Sequence, residues 1–334
     1  MWDIRRREII TLMGSAAVAW PFGAIAQKAD PIRRVGVLMA YAQSDPVARS
    51  WHAAFQEELQ KLGWTEGRNV RIATRWATTT DGGSMQRFAE ELAALQPDVF
   101  FTPNTAATAV ILQQTRSVPI VFATVIDPIG SGFVASLPRP GGNVTGFTFV
   151  EPTIGGKWLE LLKEIAPRVA RVGFLYNPPT APYADYYLNP FKAVAASLGV
   201  EAIAAPVHDA SELESVVAAQ ARAPNGGLIA MPDAFMNAHG VEITSLAARY
   251  GLPAVYSHRF FTESGGLLSY GSEVLDNYRS AANYVHRILR GTDPGKLPVQ
   301  APVTFKLIVN LDTAKALGLD VPPSLLALAD EVIE

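Results

Sequence analysis

Apolar and polar residues form two kinds of pattern along this chain, and each pattern predicts a different kind of secondary-structure element. Runs of apolar residues rich in β-branched types, such as Arg33 to Met39, predict buried strands. Elsewhere apolar residues recur every three to four positions, as Trp51, Phe55 and Leu59 do, and this spacing predicts amphipathic helices. Because predicted strands and helices alternate, we expect an α/β fold of parallel sheets with helices on both faces.

A set of landmarks occurs twice along the chain, in the same order. Arg34 to Leu38 returns as Arg171 to Leu175, and Val118 to Ala123 returns as Leu252 to Ser257. Each half also has a helix that ends in Leu-Gly ahead of its second strand. The chain is therefore predicted to contain one architectural unit twice, as two lobes.

Three stretches are candidates for the points at which the chain crosses between the lobes. The glycine-rich passage Gly141-Gly142-Asn143 is the first hinge candidate, and its alternative is an ordinary loop inside one large sheet. Gly265 to Gly271 is the second candidate and Pro298 to Asn310 the third. The predicted bounds are 30–145 plus 268–298 for lobe 1, and 146–267 plus 299–334 for lobe 2.

The first residues have the features of an export signal. Arg5-Arg6-Arg7 is a basic start, Ile9 to Ala19 is a short apolar run, and Ala24-Ile25-Ala26 fits the cleavage rule of small residues. Residues 1–26 are therefore predicted to be a signal peptide cleaved after Ala26, which places the mature protein in the periplasm. Twin-arginine (Tat) and Sec export both remain open, and a structural amphipathic helix is the alternative.

Composition narrows the possible functions. With 334 residues the chain is long enough for two domains. A formal charge of -3, with no Lys/Arg run beyond the first ten residues, argues against nucleic-acid binding. The absence of cysteine excludes disulfides, thiolate catalysis, cysteine metal sites and a lipid-anchored cysteine.

Motifs of catalysis and cofactor binding are missing. The five histidines are scattered without metal-binding spacing, and we interpret them as surface or helix-face residues. The sequence has no Gly-x-Ser-x-Gly elbow, no Gly-x-Gly-x-x-Gly fingerprint after the first strand and no phosphate loop. We therefore predict that the protein is not an enzyme and holds no metal or cofactor.

Polar and aromatic residues gather at the carboxyl ends of the predicted strands, where open α/β sheets bind ligands. Thr105 and Ala106 begin a helix whose free N–H groups favour a carboxylate, while capping by Asn104 or Thr105 is a compatible alternative. Asp233 could pair with a ligand ammonium, and Asp127 could do so or cap the structure that follows it. Tyrosine and phenylalanine rings, Tyr183 among them, suit an apolar or aromatic ligand, with about half expected in the core. The predicted ligand-binding residues are Tyr41, Gln43, Ser44, Asn104, Thr105, Ala106, Thr124, Asp127, Tyr176, Asn177, Asp233, Phe235, Tyr256 and Tyr270.

Several motifs carry a family resemblance across almost the whole chain. Besides the export signal they include Arg-Val-Gly-Val-Leu, Pro-Gly-Gly-Asn-Val-Thr-Gly, Gly-Gly-Leu-Leu-Ser-Tyr-Gly and the closing Asn-Leu-x-Thr-Ala-Lys-Ala-Leu-Gly. In this combination the chain resembles the ABC transporter substrate-binding proteins of the tryptophan/tyrosine transport type. The resemblance implies a type I periplasmic-binding fold, in which two Rossmann-like lobes joined by three crossovers trap a small molecule for a membrane permease.

The sequence thus leads to a first hypothesis and two rivals. The first is a periplasmic binding protein, expected to be a monomer, that closes on a small carboxylate-bearing ligand, aromatic or amino-acid in nature, and serves an ABC permease and ATPase. One rival is an exported enzyme of the same fold with an unrecognised site. The other is a ligand sensor that presents its closed form to a membrane receptor.

Overall fold

A computed structural model of the protein describes residues 31–78 and 82–334. The predicted signal peptide lies outside the described residues. Within them, none of the helices has the length and apolar character needed to cross a membrane.

The first sheet has five strands, and all of its neighbouring strands pair in parallel. The strands are β1 (Arg33–Met39), β2 (Val70–Trp76), β3 (Val99–Asn104), β4 (Ile120–Val125) and β5 (Val144–Thr148). The helices between them are α1 (Pro46–Lys61), α2 (Gly82–Ala94) and α3 (Thr105–Gln114). The strand order is β2-β1-β3-β4-β5.

The second sheet has seven strands, which are β6 (Arg171–Tyr176), β7 (Glu201–Pro206), β8 (Gly226–Ala230), β9 (Ala254–Tyr256), β10 (Leu268–Ser272), β11 (Phe305–Asn310) and β12 (Glu331–Ile333). Its order is β12-β11-β10-β9-β8-β6-β7, and only β10 and β11 pair antiparallel. The remaining helices are α4 (Ile154–Ile165), α5 (Ala184–Leu198), α6 (Ala210–Ala221), α7 (Ala234–Ala238), α8 (Gly240–Arg249), α9 (Arg259–Glu263), α10 (Val274–Leu289), α11 (Leu311–Ala316) and α12 (Pro323–Leu328), with a 3-10 turn at Pro294–Lys296.

The predicted duplication is visible in the strand order. In the first lobe the order β2-β1-β3-β4-β5 matches β7-β6-β8-β9-β10 in the second, so the two Arg-Val-Gly strands, β1 and β6, hold the same place. The predicted fold class, two Rossmann-like lobes of the type I periplasmic-binding kind, is confirmed. This topology brings the carboxyl ends of the parallel strands of each lobe to one edge.

The crossings between the sheets lie later than the sequence predicted. The Gly141-Gly142-Asn143 passage leads into β5, which pairs with β4, so it is a loop of the first lobe and the chain leaves only after Thr148. The strand β10 pairs with β9 in the second sheet, and the return crossing is therefore at Glu273 and not before Leu268. The third crossing follows Gln300, which still bridges to Phe147.

Helix α10 anchors the return segment on the first lobe by packing against α1 and β4. A contiguous core cluster joins side chains of both lobes, for example Phe55 and Phe101 of the first with Trp158 and Phe174 of the second. The lobes are thus in contact with each other in this arrangement.

Candidate functional site

A narrow cleft, with a cavity volume of about 40 Å³, lies where the carboxyl ends of the two sheets meet. Both lobes contribute to its lining, which consists of Tyr41, Trp51, Asn104, Thr105, Ala106, Thr124, Ile126, Phe149, Thr180, Tyr183, Pro232, Asp233, Ala234, Asn237, His258 and Val274.

The start of helix α3 forms one polar part of the cleft. Asn104 caps it, and its Oδ1 accepts a hydrogen bond from the N–H of Ala107 at 3.1 Å. The N–H groups of Thr105 and Ala106 have no partner among residues 31–78 and 82–334. Free N–H groups at the positive end of a helix dipole attract an anion, so this end of the cleft suits a carboxylate.

The hydroxyl groups near this helix start hold the scaffold together. Thr105 Oγ1 accepts from the N–H of Ile126 at 3.1 Å and lies 3.4 Å from the oxygen of Ile126. Thr124 Oγ1 donates to the carbonyl oxygen of Pro103 at 2.6 Å. Both hydroxyls therefore tie the end of β4 to the loop after β3, and the anion site consists chiefly of backbone N–H groups.

Asp233 is a buried carboxylate on the side of the second lobe. Its Oδ1 accepts from the N–H of Met236 at 2.8 Å and from Thr180 Oγ1 at 3.1 Å, and its Oδ2 accepts from the N–H of Asn177 at 3.1 Å. It forms no ion pair with any described residue. Burial raises the pKa of Asp233 to about 6, although the three hydrogen bonds oppose that rise.

Aromatic rings close the cleft from both lobes. Trp51 of α1 lies 5.6 Å from Tyr41 and 6.2 Å from His258, measured between ring centroids. Phe149, in the first crossing, lies 4.6 Å from the His258 ring. Burial lowers the pKa of His258 to about 3, so the ring is neutral at physiological pH. These contacts give the cleft apolar walls that would pack against an aromatic ligand.

Tyr183 lies between the aromatic walls and Asp233. Its hydroxyl donates to the carbonyl oxygen of Pro232 at 3.1 Å. Burial and the charge of Asp233 raise the pKa of Tyr183 well above its usual value, so the phenol keeps its proton. The protonated hydroxyl therefore donates a hydrogen bond to the backbone, and the ring lines the cleft.

The structure brings only part of the predicted site residues into this lining. Those that line it are Tyr41, Asn104, Thr105, Ala106, Thr124 and Asp233. Those that do not are Gln43, Ser44, Asp127, Tyr176, Asn177, Phe235, Tyr256 and Tyr270.

The residues outside the lining have structural surroundings. Phe235 and Tyr256 belong to the core of the second lobe, where Tyr256 stacks on Phe261. Asn177 is buried and orders its loop, because its Nδ2 donates to the carbonyl oxygen of Val207 and its Oδ1 accepts from Thr180.

The rest lie in turns or in a groove away from the cleft. Asp127 caps a turn by accepting from the N–H of Gly130 at 2.8 Å, and Gln43 and Ser44 are exposed in the turn before α1. Tyr176 is half-buried at the end of β6, and Tyr270 stacks on Phe305 in a groove beside the crossings.

Sequence reasoning missed several lining residues. Trp51 was assigned to a helix core, and His258 was interpreted as a surface residue although it is buried. Asn237 follows Asp233 by one helical turn, and this i, i+4 spacing was the available signal for it. Thr180 and Tyr183 lie in the proline- and tyrosine-rich loop after β6, which the sequence did connect with the site opening.

Comparison with known proteins places the chain among transport proteins. It is 23% identical over 294 residues to a tyrosine-binding protein of Clostridioides difficile, covering 88% of this chain and 84% of that protein. A structure from Streptococcus pneumoniae in complex with L-Trp matches with a TM-score of 0.83 and 25% identity, covering 90% of this chain and 99% of that one. A conserved domain protein of Vibrio cholerae matches over the same shares, with a TM-score of 0.82 and 26% identity.

The family assignment rests on a match to most of the chain. The sequence profile of the family described as ABC transporter substrate binding protein matches residues 39–333, which contain every residue of the cleft lining. The chain therefore belongs to the ABC transporter substrate-binding protein family.

Proposed function

We propose that the protein binds an aromatic L-amino acid, tyrosine or tryptophan, in the cleft between its lobes and delivers it to an ABC importer. The observation that carries this proposal is that one cleft holds both a buried carboxylate without a cationic partner and backbone N–H groups without an acceptor. Asp233 is a buried carboxylate without a cationic partner among the described residues, and the helix α3 start offers unpaired N–H groups. An α-amino acid zwitterion supplies one group of each sign.

The aromatic preference has its support in the walls of the cleft. Trp51, Phe149 and Tyr183 surround the space next to Asp233, and His258 is neutral. Such rings favour stacking with another aromatic ring, which is worth about 0.5 to 1.5 kcal/mol beyond burial. The tyrosine-binding relative and the tryptophan complex support the same ligand class.

We further propose that the chain works outside the cytoplasm, in the periplasm, as a monomeric partner of a permease and an ATPase in the membrane. The family supports a small-molecule ligand and such a transport partner. We infer binding without turnover, since the relatives are named as binding proteins. Ligand would favour the closed lobes only through contacts that both lobes make with it.

A ligand screen by thermal shift tests this proposal. A ligand at a hundredfold excess over its dissociation constant stabilises the folded form by about 2.7 kcal/mol, which corresponds to a rise in Tm of roughly 5 to 10 °C. We expect the largest shifts from L-Tyr and L-Trp. Shifts confined to sugars, nucleotides or metal ions would overturn the proposal.

The matched variant for this screen is Asp233→Asn, which keeps the shape of the side chain and removes its charge. This variant should weaken the binding of L-Tyr much more than the binding of 3-(4-hydroxyphenyl)propionate, an analogue without the amine. Only L-Tyr loses a charge partner. Equal losses for both compounds would show that Asp233 does not hold the ammonium.

A further inference from the structure

Among the described residues, the side-chain amide of Asn237 has a hydrogen-bond partner at one end only. Its Nδ2 lies 3.4 Å from Nε2 of His258. Its Oδ1 is buried and has no hydrogen-bond partner among residues 31–78 and 82–334. Of the residues that line the cleft, Asn237 alone has a buried polar side-chain atom of this kind in the described part of the chain.

Such an atom is costly unless something pairs with it. A buried acceptor without a donor destabilises a protein, because its hydrogen bond to water is lost and not replaced. The hydroxyls of two cleft residues are engaged elsewhere, because Tyr183 donates to Pro232 and Thr180 Oγ1 lies within hydrogen-bond distance of Asp233. A donor for Oδ1 is therefore to be sought on the ligand.

The position of Asn237 relative to Asp233 indicates which part of the ligand it meets. The two residues are four apart, at the N-cap and the fourth residue of α7, and both line the cleft. Residues with this spacing lie next to each other on one helix face, about 5 to 6 Å apart at Cβ. A ligand whose ammonium is held at Asp233 therefore lies in the same cleft as the Asn237 amide.

We propose that Asn237, oriented by His258, determines ligand specificity by accepting a hydrogen bond from a donor on the aromatic ring of the ligand. This inference rests on the proposed function and deepens it. The ligand class it selects is aromatic amino acids that carry a ring O–H or N–H, as tyrosine and tryptophan do. Phenylalanine leaves Oδ1 buried and unpaired.

Within that class the phenol is compatible with either orientation of the amide. A half-turn of the Asn237 amide exchanges its two ends and presents an N–H to the cleft instead of an oxygen. A phenol can donate or accept and so pairs with either end, whereas an indole N–H can only donate. L-tyrosine therefore satisfies Asn237 in both orientations of the amide.

Calorimetry with a ligand series on the native sequence gives the first test. We expect L-Tyr and L-Trp to bind about ten- to hundredfold more tightly than L-Phe, O-methyl-L-tyrosine and 1-methyl-L-tryptophan. The two methylated ligands keep the amino-acid end and lose only the ring donor. If L-Phe binds as tightly as L-Tyr and L-Trp, the proposed role of Asn237 is wrong.

Substitution of Asn237 gives the second test. Asn237→Leu replaces the amide by an apolar side chain of the same branched shape. In this variant the ratio of the affinities for L-Tyr and L-Phe should fall towards one. Asn189→Leu is the matched control, since Asn189 is exposed on α5 outside the cleft, and it should keep the native preference. A Tyr/Phe preference that persists in Asn237→Leu would overturn the inference.

Failure of this inference can be told apart from failure of the proposed function. Asp233→Asn should weaken L-Tyr, L-Trp and L-Phe by similar factors, because all three share the ammonium. If Asp233→Asn has this effect while the native protein binds L-Tyr and L-Phe equally well, the result would support amino-acid binding and refute the proposed role of Asn237. If none of the three amino acids binds the native protein, the proposed function itself fails.

Discussion

The raised pKa of Asp233 predicts that ligand binding depends on pH. In the ligand-free cleft the pKa of this carboxyl is raised by burial to about 6, and a ligand ammonium beside it would favour the charged form and lower that pKa. Below pH 6 binding must then release the Asp233 proton. The affinity for an amino acid should therefore be constant above pH 6 and fall by up to about tenfold per unit below it.

Titration calorimetry between pH 5 and 7.5 would measure this dependence. In the arrangement described here His258 stays neutral over that range because burial lowers its pKa to about 3. Asp233→Asn should bind weakly and without the pH dependence. An unchanged slope in that variant would assign the proton to another group.

The Thr105 hydroxyl is expected to matter for stability as well as for ligand binding. It supplies the acceptor for the buried N–H of Ile126. Thr105→Val leaves that N–H without a partner, and we expect a loss of about 1 to 3 kcal/mol in unfolding free energy. Chemical denaturation would detect it, and Thr105→Ser, which keeps the hydroxyl, should lose much less.

Site prediction from sequence succeeded where the backbone alone brings a residue to the sheet edge. Thr105 directly follows β3 and Asp233 lies three residues after the end of β8, both at the carboxyl edge of a parallel sheet. Trp51 and Asn237 reach the cleft through the direction of a helix face, which depends on the packing of the opposite lobe. The ring of His258 packs against Trp51 and Phe149, which are distant in sequence, as well as against Phe260. Periodicity carries no information on such contacts.

At the scale of elements, helices α4 and α5 approach closely through two glycines. A Cβ added at Gly155 would lie 2.6 Å from the carbonyl oxygen of Tyr187, closer than real contacts allow. Gly155→Ala should therefore lower the unfolding free energy by about 1 to 3 kcal/mol. Because α5 begins directly after Tyr183, we also expect weaker ligand binding.

Gly142→Ala is the matched control for this substitution. An added Cβ there has nothing within 4 Å, and Gly142 does not need a positive φ. Its unfolding free energy should stay within about 0.5 kcal/mol of the native value. Thermal or chemical unfolding of the two variants side by side would show whether the contact between α4 and α5, and not glycine loss as such, controls stability.

The pattern along the chain predicted most elements but misplaced their junctions. The short helix α7, which has Asp233 as its N-cap and carries Asn237, was not predicted, and α8 follows it directly after His239. Strand β5 was not predicted, because Gly141 and Gly142 before it suggested a crossing. A glycine-rich loop permits a hinge and a turn equally, and only the pairing of Val144 with Ile120 decides between them.

For the whole molecule, the cleft contacts imply that ligand binding and lobe closure are one equilibrium. Three crossings connect the lobes, after Thr148, at Glu273 and after Gln300, and the ring of Trp51 in the first lobe lies 6.2 Å from that of His258 in the second. A ligand that touches both lobes shifts the population towards the closed form. Without ligand, opening would expose Trp51, which is now only 8% exposed.

Tryptophan fluorescence and small-angle X-ray scattering would follow this closure. On adding L-Tyr at saturation we expect the radius of gyration to fall and the emission of Trp51 to shift to shorter wavelength, because its ring leaves water. Trp51→Phe should lose most of that spectral shift, whereas Trp64→Phe should keep it, since Trp64 bonds to His286 within the first lobe. If calorimetry detects binding while both the radius and the spectrum stay unchanged, the lobes do not close on the ligand, and the Trp51–His258 contact must already exist in the free protein.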